Sequence, residues 1–130
     1  MTVDLMMLVW TAILCIVLFL PYVLCRIGVW GLVTTVGYPT NPPALPVWAG
    51  RAHRAHLNLV ENIGPFMALV VVAHLAGVAN ATTALGATIF FWARLVQAVV
   101  HILGVPWLRT AAFFVSLAGE VMILGQILGR

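Results

Sequence analysis

Residues 5–24 read LMMLVWTAILCIVLFLPYVL, twenty positions without one charged side chain. A helix needs about 20 apolar residues to cross the hydrocarbon core of a bilayer. This run therefore predicts a membrane span rather than the core helix of a soluble domain. It follows Asp4, has no basic leader and carries no Ala-x-Ala cleavage pattern, which argues for a retained first span and against a removable signal. Pro21, Tyr22 and Arg26 close it with the aromatic and basic residues typical of a headgroup boundary.

Outward from that run, the rest of the 130 residues has the same character. The chain is 64% hydrophobic and 7% charged, against roughly 25% charged residues in a typical soluble domain. Three further apolar stretches predict spans at about Leu57–Val78, Leu85–Leu103 and Leu108–Leu128. The expected architecture is all-α, a four-helix transmembrane bundle forming a single integral membrane domain over 1–130. Gly37, Pro39, Pro42, Pro43 and Pro46 predict an extended connection between the first two spans. Asn80 to Thr83 predict a turn before the third span, and Gly104 and Pro106 a break before the fourth.

The net charge of +3 comes from Arg26, Arg51, Arg54, Arg94, Arg109 and Arg130 against Asp4, Glu61 and Glu120, with no Lys. Nucleic acid would require a basic face, and these cations are scattered among apolar runs. Four spans place both termini on one side. Arg26, Arg51, Arg54 and Arg109 flank the first and third loops, so the positive-inside rule predicts those loops in the cytoplasm and the termini outside it. Cys15 and Cys25 are ten residues apart in or beside one helical run, too far for a disulfide within the chain.

Ionisable groups inside spans are costly and normally face other helices. Arg54, Asn58 and Glu61 recur at i, i+4 and i+7 and predict a polar stripe on the second span; Arg94, Gln97 and His101 at i, i+3 and i+7 predict another on the third. Arg109 enters the fourth span from the same side, beside Thr110. Glu61 with Arg94 is the expected ion pair. One such pair serves equally well as a register lock, but several Arg, amides, a carboxylate and a His at one interface suit an anionic polar ligand. His74 and Glu120 read as structural, and Asp4, Arg26, Arg51 and His53 as interface residues. His53 and His56 lack a nearby third ligand, so a metal site is not expected.

The stretch RAHRAHLNLVENIGPF at 51–66, with Arg94, His101, Pro106, Arg109 and Thr110 following, resembles the MAPEG family, membrane-associated proteins in eicosanoid and glutathione metabolism. The likeness is to a small bacterial-type member and covers most of the chain. It implies a homotrimer of four-helix protomers that binds glutathione as cosubstrate near the cytoplasmic face and turns it on a lipophilic small-molecule substrate. By that resemblance Arg54, Asn58 and Glu61 hold the tripeptide with Arg94 as the buried Arg of the third helix, and Arg109 with Thr110 stands near the thiol; by position alone Gln97 joins the binding set and His101 the catalytic set. The expected activity is a glutathione transferase or peroxidase; the alternative is a non-enzymatic member that binds an anionic metabolite or lipid. Four positions depart from the family pattern: Gly50 replaces a Glu, Leu57 a basic residue, and His101 and Phe113 two aromatic hydroxyls.

Overall fold

The computed structural model describes residues 1–129. Its helices are α1 (Val3–Val17), α2 (Leu20–Trp30), α3 (Leu32–Val36), α4 (Val47–Leu75), α5 (Ala81–Leu103) and α6 (Pro106–Leu128). Four helical stretches are long and apolar enough to cross a membrane: Val3–Trp30, which joins α1 and α2, then α4, α5 and α6. The protein is a multi-pass integral membrane protein.

The third and fourth spans end at Leu103 and Leu128 as expected, and the other boundaries are displaced for local reasons. Pro21 does not end the first span, because it lies in the first turn of α2, where no backbone donor is required. Its ring excludes the carbonyl four residues back, that of Val17, and α1 stops at that residue. Helix then runs on to Trp30, so Tyr22 and Arg26 lie on a helix face rather than in a loop. The second span starts at Val47, ten residues before Leu57, since no proline lies between Pro46 and Leu57; the irregular part of the connection is residues 37–46 together with Gly31 between α2 and α3. Pro65 lies inside α4 and removes the backbone hydrogen bond to the Glu61 carbonyl.

Asn80 is a cap rather than a plain turn residue. Its side chain accepts the Thr82 and Thr83 amides at 2.8 and 3.1 Å while Thr83 Oγ1 accepts the Asn80 amide at 2.8 Å, so α5 begins at Ala81. Gly77 ends α4 with φ +72° and Gly104 ends α5 with φ +81°. In both, the amide of the next residue reaches back to a carbonyl of the last turn, Val78 to Ala73 and Val105 to Val100, each at 3.0 Å. Pro106 opens α6 as its first residue.

Without a hydrophobic drive between helices in lipid, association depends on close contact. The α5–α6 seam supplies it. A Cβ on Gly86 would stand 2.6 Å from the Gly119 carbonyl oxygen, and one on Gly119 2.5 Å from that of Gly86. Beside this seam Phe66 and Phe90 stack at 3.9 Å between centroids, within a core of Val70, Ala73, Ala87 and Ile123. α1 packs on α4 and α5. Asp4, expected at the interface, is instead buried, with Thr83 Oγ1 3.4 Å from its carboxylate. The amino terminus of α5 favours a negative charge there.

Candidate functional site

The start of α4, the end of α5 and the start of α6 meet at one end of the bundle. There Arg51, Arg54, His101 and Arg109 surround a cavity of about 190 Å³, closed by Gly104, Val105 and Pro106. Arg109 also borders a second cavity of about 310 Å³, whose other walls are Asn58, Gln97, Thr110 and Phe113. Among the described residues no carboxylate lines either cavity.

Arg51 is fixed by the end of α5. Its Nε donates to the Ile102 carbonyl at 2.8 Å, and its guanidinium covers Gly104, where an added Cβ would lie 3.1 Å from Cζ. Carbonyls at a helix carboxyl end favour a cation. Arg51 is therefore part of the cavity wall and not the interface residue expected from the sequence; its i, i+3 spacing to Arg54 puts the two on adjoining positions of one face.

Beneath the cavities lies a buried polar layer. Asn58 Oδ1 accepts from Arg94 Nη2 at 2.6 Å and from Gln97 Nε2 at 3.1 Å. Arg94 is 2% exposed, Gln97 4% and His101 7%. Arg94 Nε and Nη1 and His101 Nδ1 are buried with no hydrogen-bond partner among the described residues. Arg94 therefore keeps two donors, and His101 one ring nitrogen, without a protein group to meet them.

The expected Glu61–Arg94 pair does not form. Glu61 is exposed, and no ion pair occurs among the described residues. Three residues along a helix of 3.6 per turn rotate a side chain by about 60° from its starting face, so Asn58 takes the inward position and Glu61 the outer edge. The carboxylate that acts on Arg94 through space is Glu120 of α6, a residue read from the sequence as lying outside the cluster. Nothing in its surroundings along the chain, an apolar run, announced it.

The structure thus gathers Arg54, Asn58, Arg94, Gln97, His101, Arg109 and Thr110 at one end of α4, α5 and α6, and leaves Glu61 on the rim. The Thr110 hydroxyl donates to the Pro106 carbonyl at 3.1 Å, so its oxygen faces the cavity as an acceptor only. His74 is exposed on α4, away from the cluster.

A family model settles the kinship: that of the MAPEG family matches residues 7–129. The chain belongs to the MAPEG family. Membership and four apolar helices agree with a bilayer-embedded protein and with a glutathione-related or eicosanoid-type role. No curated protein and no solved structure matches the chain. The RAHRAHLNLVENIGPF stretch lies within α4, with Arg51 and Arg54 bordering the first cavity and Asn58 the second.

Proposed function

We propose that this MAPEG chain is a glutathione-dependent transferase or peroxidase acting on lipophilic electrophiles that enter from the bilayer. The observation that carries the reading is a cavity walled by three Arg and one His with no carboxylate among the described residues of its lining. Glutathione brings two carboxylates, an ammonium and a thiol. Guanidinium forks from Arg51 and Arg54 suit its carboxylates; Glu61, on the rim, suits its ammonium; Gln97 and Asn58, the latter held by Arg94 and Gln97, offer amides to its peptide groups. As a homotrimer, with the first and third loops in the cytoplasm, the protein would cover its exposed rim and face the cytosolic thiol.

Arg109 borders both cavities and stabilises the thiolate. His101, buried with Nδ1 unpartnered, accepts the thiol proton or orients the sulfur. In transfer the thiolate pair forms the sulfur–carbon bond as the leaving group departs with its own pair. In peroxide reduction the sulfur takes the distal oxygen, the O–O bond breaks to leave an alcohol, and a second glutathione yields disulfide and water.

Phe113 supports a second reading, binding of an anionic metabolite or lipid without turnover, because it lines the second cavity where a hydroxyl would otherwise donate to sulfur. A thiolate absorbance titration of the detergent-purified protein with glutathione separates the two. Thiolate formation at neutral pH together with conjugation of a hydrophobic electrophile supports the enzyme; binding without thiolate supports the second reading.

A further inference from the structure

On the face of α4 turned away from the cavities, α2 is held by a cluster that the proposed activity does not use. Tyr22, buried on α2, shares a hydrogen bond of 2.7 Å with His56 Nδ1 and lies between two imidazoles, with ring centroids 4.6 Å from His53 and 5.6 Å from His56. Arg26 Nη2 is 3.4 Å from His53 Nδ1, and its guanidinium covers the Tyr22 ring at 5.0 Å and the Trp30 ring at 5.7 Å. Trp30 in turn donates Nε1–H to the Pro43 carbonyl at 2.7 Å, tying the 37–46 segment to α2.

The two histidines are not equivalent. A phenol both donates and accepts, so the Tyr22–His56 bond survives protonation of His56 by reversing direction. A guanidinium only donates. His53 Nδ1 must therefore carry its lone pair toward Arg26, with its proton on Nε2, and protonating Nδ1 would turn the one acceptor into a second cation facing the first. The other groups around His53 make this worse: Arg54 and His56 are the charged or titratable neighbours on α4, Arg26 and Tyr22 those on α2, and among the described residues no carboxylate pairs with any of them. Arg26 Nε is already buried with no hydrogen-bond partner among the described residues.

We propose that His53 is the proton sensor of a clasp that holds α2, and the 37–46 segment tethered to it, against α4. With His53 neutral the clasp is closed; when it is protonated, repulsion from Arg26 releases α2 while the rest of the bundle, packed through α4, α5 and α6, stays in place.

The test reads the distance between spin labels at Leu24→Cys on α2 and Val96→Cys on α5, in a chain carrying Cys15→Ala and Cys25→Ala. Labelled protein is diluted with unlabelled protein in lipid nanodiscs so that only labels within one chain are read. The wild-type clasp should give one narrow distance at pH 7.5 and a longer or broader distribution at pH 5. His53→Gln, whose amide oxygen still accepts from Arg26 but does not protonate in this range, should stay narrow at both pH values. His56→Gln should respond as the wild type does. Identical wild-type distributions at the two pH values overturn the proposal, as does a response that persists in His53→Gln or vanishes in His56→Gln. If His53→Gln already lacks the narrow distance at pH 7.5, His53→Asn takes its place under the same criteria.

Discussion

Arg94 of α5 donates to the amide oxygen of Asn58 on α4 at 2.6 Å, so the cation at the centre of the polar layer is held by a neutral side chain. Gln97 shares the same acceptor. Asn58 is thus the α4 acceptor shared by Arg94 and Gln97 of α5, and its loss would strand two buried donors.

Asn58→Leu should therefore destabilise the protein. A hydrogen bond to a charged group contributes about 1.5–3 kcal/mol, and the partner left behind is buried. A lowered thermal midpoint in detergent is the expected result. An unchanged midpoint would mean that Arg94 finds another acceptor.

Glu61→Gln should behave differently. Because Glu61 is exposed and makes no ion pair among the described residues, thermal stability should change little, within about 0.5 kcal/mol. If Glu61 meets the ammonium of glutathione, affinity should fall in isothermal titration. A large stability loss would place Glu61 back against a guanidinium.

Gly119→Val tests the helix seam. Its Cβ would lie 2.5 Å from the Gly86 carbonyl oxygen and 3.0 Å from the Phe90 amide nitrogen, both backbone atoms that cannot swing aside. Overpacking costs about 1–3 kcal/mol, so a lower melting temperature is expected, whereas Gly125→Val, with open space around its Cβ position, should have a much smaller effect.

Reporter fusions test the orientation. The Arg residues near the first and third loops predict a cytoplasmic signal near Pro43 and a non-cytoplasmic one at residue 1. The reverse pattern would put the cationic cavity on the wrong side for a cytosolic thiol.

Arg109→Ala tests the chemistry. A free thiol titrates near about 8.5, and an adjacent cation lowers this to between about 3.5 and 7.5, so bound glutathione should be largely thiolate at pH 7 and become protonated as the pH falls through the lowered value. Removing Arg109 should return the titration toward the free value. Conjugation should then slow at neutral pH and recover as pH rises, while affinity falls less because Arg54 and Asn58 remain. Intact rates in the variant would remove Arg109 from the mechanism.

Much of this architecture was legible in order along the chain. Apolar run length alone decides that a segment crosses lipid, because unpaired backbone is intolerable there and a helix is the local solution. Four such runs, the Arg54–Asn58 and Arg94–Gln97–His101 stripes and the family kinship of RAHRAHLNLVENIGPF are all properties of neighbouring residues. Helix starts were misplaced where capping decides them: Asn80 looked like a turn residue until its side chain was seen to bond the Thr82 and Thr83 amides.

What only the tertiary structure decided are the partnerships. Periodicity tells which residues share a face, but not the rotation of one helix against another, and a rotation of about 60° separates Asn58 from Glu61. That rotation gives Arg94 an amide for a partner, assigns the through-space charge to Glu120 and leaves Glu61 on the rim. It also turns His53 and His56 toward Tyr22 and Arg26, residues about thirty positions earlier, for which nothing in the local sequence prepares the reader. Spans are set by composition along the chain; which charged side chains meet is set by the packing of small residues such as Gly86 and Gly119 between helices.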